Sequence, residues 1–513
     1  MKPLNKQSAV RMENISKSFG EVSANSHVNL DIKRGEILSL LGENGSGKTT
    51  LMNMLAGIYF PDKGDIYIDD EKVTIRSPRD ALSLGIGMVH QHFKLVDVFT
   101  AAENIILGTH HGKRFDTKQL KQDILEISQK YGFDIDPDQK IYDMSVSQKQ
   151  TVEIVKVLYR GARILILDEP TAVLTPQETE KLFSVIRSMR DDGKSVVIIT
   201  HKLNEVMAIS DRVAVLRRGE YIGTVPTNET DPKKLTEMMV GRPITLNIDR
   251  PEPTDSTERL RVENLSVSDL EGVDKLSKVS FTAYAGEILG IAGISGSGQK
   301  ELLEAIAGLQ HVKSESRVVY TDKDSGTHEL LSKTPIEIAR LGVALSFVPE
   351  DRLGMGLVGD MDITDNMLLR SYQNSKGFFA DRKSPKKLAG DVVDELQVVT
   401  PHLSTPIRRL SGGNVQKVLV GREIAMNPTV LMTAYAVRGL DINTSYTIYN
   451  LLTEQKMKGV AVIFVGEDLD VMVELCDRVL VLCGGKVSGL VDGRTTTKEE
   501  IGLMMTHMKE DGA

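Results

Sequence analysis

The sequence predicts an α/β fold, with a mainly parallel sheet at the core of each of two similar halves. Three observations support this fold class. Apolar β-branched runs such as Arg163–Leu167 and Ser195–Thr200 are typical of strands buried on both faces of a parallel sheet. Helical patterns alternate with these runs, as they do in repeated strand–helix–strand units. The third observation is that the motifs of the first half return, in order, in the second half.

The internal repeat has the length of a whole domain. Val10–Ser16 reads VRMENIS and Leu260–Ser266 reads LRVENLS, so the second copy is displaced by 250 residues. Asp211–Val213 and Asp477–Val479 both read DRV, and here the displacement is 266 residues. Because the displacement is long and changes only through insertions, the repeat indicates a duplicated domain and not a short-period solenoid.

Two domain ranges follow from the repeat. We predict domains over residues 8–241 and 259–510, each of ordinary domain size in a chain of 513 residues. The predicted linker over residues 242–258 places three prolines among polar residues, as linkers commonly do.

The composition is that of a globular protein, with 41% hydrophobic and 26% charged residues. The formal net charge of −8 argues against electrostatic binding of nucleic acid, which needs a concentrated basic face. The first residues lack the apolar core of a signal peptide, and no apolar run reaches the roughly 18 residues of a membrane-spanning helix. The two cysteines, Cys476 and Cys483, are predicted to be ordinary thiols. If the protein acts at a membrane, a partner must therefore cross it.

A glycine-rich segment between a predicted strand and a predicted helix carries the first chemical signal. It fits the pattern G-x-x-x-x-G-K-[ST], in which backbone N–H groups at a helix N-terminus converge on phosphate oxygens. We expect Lys48 to reach the β- and γ-phosphates of ATP and the Thr49 hydroxyl to bind Mg²⁺. The residues assigned to ATP binding in this segment are Gly42, Glu43, Asn44, Gly45, Ser46, Gly47, Lys48, Thr49 and Thr50.

Two carboxylates and a histidine complete the predicted catalytic set of the first half. Asp168 and Glu169 follow the buried run Arg163–Leu167, at the edge of a parallel sheet where ligands bind. We expect Asp168 to belong to the Mg²⁺ shell, through water, and Glu169 to polarise the attacking water. His201 follows the next buried run and is placed to contact the γ-phosphate.

These motifs together resemble the ATPases of the ABC transporter family over nearly the whole chain. Phe19 matches the family's aromatic residue that stacks on adenine, and Gln91 matches the glutamine that links Mg²⁺ to the helical subdomain and the membrane partner. The resemblance also implies a helical subdomain and an antiparallel β subdomain beside each sheet core. The segment Leu410–Lys417 matches the signature motif, found in no other ATPase class. The signature residues that the resemblance assigns to ATP are Ser411, Gly412 and Gly413.

The second half lacks what the first half supplies for catalysis. In its phosphate loop Gln299 replaces the lysine and Lys300 replaces the hydroxyl residue, and an ammonium group cannot bind Mg²⁺. The residues that match Asp168, Glu169, His201 and Gln91 are Ala434, Tyr435, Glu467 and Glu350. No aromatic residue matches Phe19, since Asp269 lies near that place. We therefore predict that the second half hydrolyses nothing with its own residues.

For the signature motif the order is reversed, because the first half has the degenerate copy and the second half has the intact one. In the first half Ser147 stands where the signature usually has a glycine. At the D-loop position the first half has Thr175, whereas the second half keeps a carboxylate, Asp441. In the family, the phosphate loop of one half faces the signature of the other. The resemblance therefore implies one catalytic composite site, with Asp441 among its ATP contacts.

Among the ABC ATPases, the sequence resembles tandem importer subunits for simple sugars and nucleosides. This resemblance implies ATP and Mg²⁺ as ligands, two permease subunits and an extracytoplasmic solute-binding protein as partners, and a place at the cytoplasmic face of the membrane. It also implies that the two domains pair within one chain. The segment 85–96, followed by Glu103–Ile105, most resembles the nucleoside-uptake branch of these subunits, and this resemblance implies a nucleoside as the solute, with a ribose- or galactose-type sugar as the alternative.

Three functions of other classes are alternatives. A ribosome-associated tandem ABC protein would keep both phosphate loops and a long charged linker. A DNA-repair ABC ATPase would carry zinc modules or coiled-coil insertions and a surface for duplex DNA. A regulator with a vestigial site would hydrolyse no ATP even with a permease present.

Overall fold

Two compact units make up the chain, Met1–Thr245 and Leu246–Ala513. Each contains a four-stranded sheet and a six-stranded sheet with helices, which confirms the predicted fold class. The computed structural model describes residues 8–20, 22–91, 93–108, 116–172, 174–241, 248–253, 257–269, 271–294, 296–347, 356–372, 381–438, 440, 442–466 and 468–506.

The strands of the first unit form one antiparallel and one mainly parallel sheet. They are β1 Ser8–Phe19, β2 Val22–Lys33, β3 Ile37–Leu41, β4 Lys63–Ile68, β5 Glu71–Val73, β6 Ile86–Val89, β7 Ile164–Asp168, β8 Ser195–Thr200, β9 Arg212–Arg217 and β10 Glu220–Pro226. The antiparallel sheet has the order β2-β1-β4-β5, and the second sheet has the order β10-β9-β3-β8-β7-β6. In the second sheet β10 is antiparallel to β9 and the other pairs are parallel.

Every residue of β3, β7 and β8 is buried. Strands covered on both faces need apolar side chains in both orientations, which explains why these three sequences are mostly apolar. The carboxyl ends of these three strands lie side by side, and the chain leaves β3 at the glycine-rich segment, β7 at Asp168 and β8 at Thr200.

The helices of the first unit are α1 Lys48–Leu55, α2 Pro78–Ser83, α3 Ala101–Ile106, α4 Thr117–Tyr131, α5 Val146–Tyr159, α6 Pro176–Asp191, α7 Leu203–Ile209 and α8 Pro232–Val240. Helices α3 to α5 lie between β6 and β7 in the chain and pack on one another around a small apolar cluster. Capping boxes begin α3, α5 and α6, with Thr100, Ser145 and Thr175 as the N-cap residues.

The second unit repeats this arrangement. Its strands are β11 Glu258–Ser268, β12 Asp274–Tyr284, β13 Ile288–Ala292, β14 Arg317–Thr321, β15 Thr327–Glu329, β16 Val343–Phe347, β17 Val430–Ala434, β18 Ala461–Val465, β19 Arg478–Cys483 and β20 Lys486–Asp492. The two sheets have the orders β12-β11-β14-β15 and β16-β17-β18-β13-β19-β20. The helices span Gln299–Ile306, Pro335–Arg340, Ile363–Ser371, Lys383–Glu395, Gly412–Ala425, Ile442–Met457, Leu469–Leu475 and Lys498–Thr506. No helix among the described residues of either unit is long and apolar enough to cross a membrane.

Each unit has an equivalent ion pair at the start of two neighbouring strands of its six-stranded sheet, which shows how closely the two folds agree. Glu36 precedes β3 and lies 3.2 Å from Arg212 on β9. Glu287 precedes β13 and lies 2.7 Å from Arg478 on β19. Both carboxylates also accept a backbone N–H from three residues upstream. This polar anchor therefore belongs to the duplicated fold and not to one activity.

The segment 248–253 of the predicted linker packs on the second unit. The Arg250 guanidinium donates to the carbonyl oxygens of Val473 and Cys476 at 2.7 and 2.8 Å. Lys456, which is 1% exposed, donates from Nζ to the Pro251 carbonyl oxygen and pairs with Asp477 at 2.8 Å. This part of the linker is thus held in place by the second unit, and the predicted domain ranges 8–241 and 259–510 stay predictions.

Candidate functional site

The glycine-rich loop joins β3 to α1 in the strand–loop–helix order that the sequence predicts. Gly45 and Gly47 have positive φ angles of 79° and 93°. A Cβ on Gly47 would lie 2.3 Å from the carbonyl oxygen of Ala24, so only glycine fits there. The loop contains Gly42, Glu43, Asn44, Gly45 and Ser46, Gly47 is the N-cap of α1, and the first turn of that helix begins with Lys48, Thr49 and Thr50.

The Lys48 ammonium lies inside this loop. Its Nζ donates to the carbonyl oxygens of Gly42 at 2.8 Å and Glu43 at 3.0 Å, and the residue is 5% exposed. Burial lowers the pKa of Lys48, although the carboxylates of Glu169, Asp168 and Glu43 oppose that shift. A buried ammonium group in this loop suits a polyphosphate, because the negative charge of the phosphates would stabilise the charged form of the lysine.

A buried hydroxyl in the same loop also fits an anionic ligand. Within the described part of the chain, Ser46 Oγ has no hydrogen-bond partner, and the residue is 3% exposed. Buried polar groups without partners are rare in native proteins because they cost free energy. Ser46 is therefore a candidate donor to a phosphate oxygen.

Asp168 ends β7 beside the first turn of α1. Thr49 Oγ1 donates to Asp168 Oδ1 at 3.4 Å. Burial, with the adjacent Glu169 carboxylate, raises the pKa of Asp168 to about 6. A hydroxyl oxygen and a carboxylate are oxygen ligands of the kind that Mg²⁺ prefers, so the residues present fit this ion.

Glu169 occupies a tight turn directly after β7. Its φ angle is 47°, and its N–H donates to the carbonyl oxygen of Ile199 on β8 at 2.9 Å. Its carboxylate accepts from Gln91 Nε2 at 2.9 Å, and its other oxygen lies 3.0 Å from His201 Nδ1. The structure thus brings together three residues that were predicted separately.

The charge state of Glu169 follows from these neighbours. Burial alone would raise the pKa of this carboxyl group, but the hydrogen bond to His201 and the nearby charges of His201, Lys48 and Lys202 leave it lowered. The two adjacent acids of this site therefore have pKa values that move in opposite directions, Asp168 upward and Glu169 downward. Such a difference is typical of sites in which two carboxyl groups have different tasks.

Phe19 ends β1 with an exposed ring. Its relative exposure is 45%, its ring meets that of Tyr59 edge-on at 5.2 Å between centroids, and Lys17 Nζ lies 5.6 Å from its centroid. An exposed aromatic ring that is held by a neighbouring ring is available to stack on a base. The matching Asp269 of the second unit instead accepts backbone N–H groups within its own turn.

The second unit keeps the backbone of the phosphate loop without its chemistry. Gly296 and Gly298 have φ angles of 86° and 97°, close to those of the first loop. Gln299 Nε2 donates to the carbonyl oxygen of Ile294 at 3.2 Å, the place that the lysine takes in the first unit. Lys300 lies 3.7 Å from Glu304 on its own helix. The loop therefore has its shape but no ammonium directed along it.

The turn after β17 likewise has the backbone conformation of the turn after β7 but different side chains. Tyr435 has a φ angle of 55°, and its N–H donates to the carbonyl oxygen of Val465 at 2.9 Å, as Glu169 does on β8. The preceding position is Ala434, which offers no ligand oxygen from its side chain. Glu350 and Glu467, which match Gln91 and His201, lie outside the described residues.

Both signature segments begin helices. Ser411 is the N-cap of the helix Gly412–Ala425, and its hydroxyl accepts from the N–H of Asn414. The predicted ATP contacts Gly412 and Gly413 are the first two residues of that helix, where backbone N–H groups lack carbonyl partners. Ser147 stands in the first turn of α5 at the matching place of the first unit. Asp441 lies outside the described residues.

Two supporting residues of the first unit carry no motif and were not predicted. Asn25 on β2 is fully buried and donates from Nδ2 to the carbonyl oxygen of Gly47 at 3.3 Å. Gln150 on α5 donates from Nε2 to the carbonyl oxygen of Pro170 at 2.6 Å. Only Gln150 had a usable signal in the sequence, because Gln416 stands at the matching position of the second half and also donates to a backbone carbonyl.

Comparison with known proteins agrees with this geometry. The model of the ABC transporter family matches residues 25–172 and 276–433, which together cover more than half of the chain. The nucleoside import ATP-binding protein NupA of Lactococcus lactis subsp. cremoris is 41% identical over 97% of this chain and 98% of its own. The guanosine import ATP-binding protein NupO of Bacillus subtilis is 43% identical over 97% of both chains. The ribose import ATP-binding protein RbsA 1 of Streptomyces avermitilis is 36% identical over 97% of this chain and 93% of its own.

The family model and the relatives match both units. The similarity extends over nearly the full length of each of these relatives. The chain therefore belongs to the ABC transporter family, as a tandem ATP-binding protein of the import type that hydrolyses ATP.

Proposed function

We propose that this protein couples ATP hydrolysis to the import of nucleosides and that the first unit supplies all of the hydrolytic side chains. One observation carries the proposal. In the first unit a carboxylate, Glu169, is held between Gln91 and His201, whereas the second unit has the same turn with Tyr435 in place of the carboxylate. The asymmetry is one of side chains and not of fold.

The residues of the first unit have separate tasks in this proposal. Phe19 stacks on adenine, the N–H groups of the loop hold the phosphates, and Lys48 turns from its loop carbonyls to the β- and γ-phosphates. Thr49 and Asp168, with Gln91, would hold the Mg²⁺ that accompanies ATP, and its charge would offset that of the phosphates.

Glu169 is the residue that we assign to the attacking water. Its lowered pKa keeps the carboxylate ionised near neutral pH, so that it can accept a hydrogen bond from water and take up its proton. His201, which contacts one carboxylate oxygen, would contact the γ-phosphate and keep the carboxylate oriented toward it.

We infer that the second unit contributes the signature. In this proposal Ser411, Gly412, Gly413 and Asp441 would contact the phosphates bound by the first unit. Support comes from the intact LSGG sequence and from its position at a helix start, where free N–H groups favour an anion. ATP would then be the ligand that joins the two units, and its hydrolysis would release them.

The solute is assigned from the relatives. Two of them, named for nucleoside and guanosine import, are 41% and 43% identical to this chain, whereas the ribose import relative is 36% identical. A ribose- or galactose-type sugar is the second candidate. In either case the protein would act at the cytoplasmic face of a membrane, with two permease subunits and an extracytoplasmic solute-binding protein that selects the solute.

The asymmetry is tested by a matched pair of variants. Glu169→Gln should abolish steady-state ATP turnover and leave ATP binding intact, because the amide keeps the size of the side chain but cannot accept the proton. Gln299→Ala should leave turnover within about twofold of the wild type, since its amide contacts only its own loop. An equal loss of turnover in the two variants would contradict the assignment of hydrolysis to the first unit.

The solute is tested in liposomes that contain the chain with its permease and solute-binding protein. ATP-dependent uptake of radiolabelled guanosine or adenosine, unaffected by excess ribose, is the expected result. Uptake of ribose in preference to nucleosides would establish the sugar alternative. Co-purification with ribosomes and no ATP-dependent uptake of any solute would reject the import role.

A further inference from the structure

A polar contact with little exposure to solvent lies close in the chain to the candidate catalytic groups of the first unit. Glu205, on α7, accepts a hydrogen bond from Thr171 Oγ1 at 2.6 Å. Its other carboxylate oxygen lies 3.1 Å from Lys202 Nζ. The Glu205 side chain is 14% exposed and Thr171 is 2% exposed, so water screens this contact only weakly.

The contact joins the two strand ends that carry the catalytic groups. Thr171 lies two residues after Glu169, and Lys202 directly follows His201. The Lys202 ammonium also donates to the carbonyl oxygen of Thr171 at 3.3 Å. The carboxylate of Glu205 therefore ties the turn after β7 to the segment after β8.

The second unit shows the same fold without this contact. At the constant displacement of 266 residues, Val437 matches Thr171 and Val471 matches Glu205. Both valines pack against one apolar cluster of the second unit. Apolar side chains thus stand at the positions of the polar pair, and the strands of the sheet keep their order.

The backbone of the turn does not depend on the contact either. Glu169 and Tyr435 have φ angles of 47° and 55°, and each turn also accepts a hydrogen bond from a glutamine, Gln150 or Gln416. The glutamine contact is present in both units and so belongs to the fold. The Glu205 contact occurs only beside the intact catalytic carboxylate.

We propose that Glu205 is a positioning residue for ATP hydrolysis, which holds the turn of Glu169 against the segment that carries His201. The inference deepens the proposed function and rests on the role assigned there to Glu169. The physical reason is direction, because hydrogen bonds to a carboxylate constrain both distance and angle, whereas the apolar contacts of valine side chains are non-directional. A displacement of about 1 Å at a reacting group can lower a rate by about 100-fold.

The test replaces the contact with the side chains that the second unit itself uses. The double variant Thr171→Val/Glu205→Val should lower kcat for ATP hydrolysis by about tenfold or more, with the KM for ATP within about threefold of the wild type. The melting temperature should stay within about 3 °C, because the valine pair is compatible with this fold. Glu205→Gln keeps an oxygen for Thr171 and loses only the charge, so its kcat should lie between those of the double variant and the wild type.

Asp192 offers a matched control in the same unit. It accepts from a hydroxyl, Tyr131 Oη at 2.6 Å, and from Lys130 Nζ at 2.8 Å, much as Glu205 does. Asp192→Asn should leave kcat within about twofold, since its partners lie on α4 and not at the strand ends.

The outcomes separate this inference from the function on which it rests. A kcat of the double variant within twofold of the wild type overturns the positioning role, and so does a loss of kcat accompanied by a large change in KM or in melting temperature. Glu169→Gln is measured in the same assay. If that variant keeps its turnover, the proposed role of Glu169 fails instead.

Discussion

Lys48 of the first unit and Gln299 of the second occupy equivalent positions, so the same substitution can be made in both phosphate loops and its effects compared. We consider Lys48→Met and Gln299→Met, measured in a Glu169→Gln background so that ATP is not consumed. Lys48 is 5% exposed and makes two hydrogen bonds to loop carbonyls with a charged donor. Gln299 makes one neutral hydrogen bond of 3.2 Å.

The expected magnitudes follow from the type of contact. A hydrogen bond from a charged group is worth about 1.5–3 kcal/mol, so losing the ammonium should weaken ATP binding by about 10- to 150-fold. The neutral amide of Gln299 has no charge to offer a phosphate, and its loss should change the dissociation constant by less than about twofold.

Equilibrium dialysis with radiolabelled ATP measures both dissociation constants on the full chain. Circular dichroism of each variant checks that the fold is kept, because the chain has no Trp for fluorescence. If Gln299→Met weakened binding as much as Lys48→Met, the second loop would be a working phosphate site, and the reasoning from its lost ammonium would be refuted.

Three further predictions concern steric fit, buried charge and the signature. Gly47→Ala should weaken ATP binding at least about tenfold, because its Cβ would lie 2.3 Å from a backbone oxygen, whereas Gly45→Ala has open space and should do less in the same dialysis assay. Lys456→Met should lower the free energy of unfolding of the second unit by up to about 3 kcal/mol, since it leaves the buried Asp477 with the longer contact to Arg494 in place of its pair with Lys456. Urea titration should show at most about 1 kcal/mol for Arg190→Met, whose pair with Asp211 is partly exposed. Ser411→Arg should reduce steady-state ATP turnover by about 100-fold if the signature closes the site, and turnover unchanged by this variant would contradict the composite site.

The sequence was most informative where the signal is local. The buried strands β7 and β8 were predicted from apolar runs rich in β-branched residues, because a strand covered on both faces has few polar side chains. The phosphate loop was predicted because its glycines and Lys48 lie within eight consecutive residues, and the positive φ angles that it needs are a property of those residues alone. The duplication was visible for the same reason, since short segments of the first half recur in the same order in the second, displaced by 250 residues early in the domain and by 266 late in it.

Residues that depend on distant partners were harder to predict. Gln91 was assigned by resemblance and His201 from its place after a buried strand, but their shared contact with Glu169 joins residues that are 78 and 32 positions apart in the chain. Asn25 and Glu205 were not predicted at all. Each is one polar residue on an ordinary element, and nothing in its neighbours shows which buried group it will meet.

The sequence by itself determined the α/β fold, its duplication, the phosphate loop and the loss of the ammonium at Gln299. Local periodicity and motif spacing encode these features, and the chain need not be folded to read them. Only the tertiary structure decided which oxygens of Glu169 are held and by what, and that Glu205 ties the two strand ends together. Parallel strands set far apart in the sequence bring their carboxyl ends to one edge of the sheet, so the contacts made there depend on how the whole sheet packs.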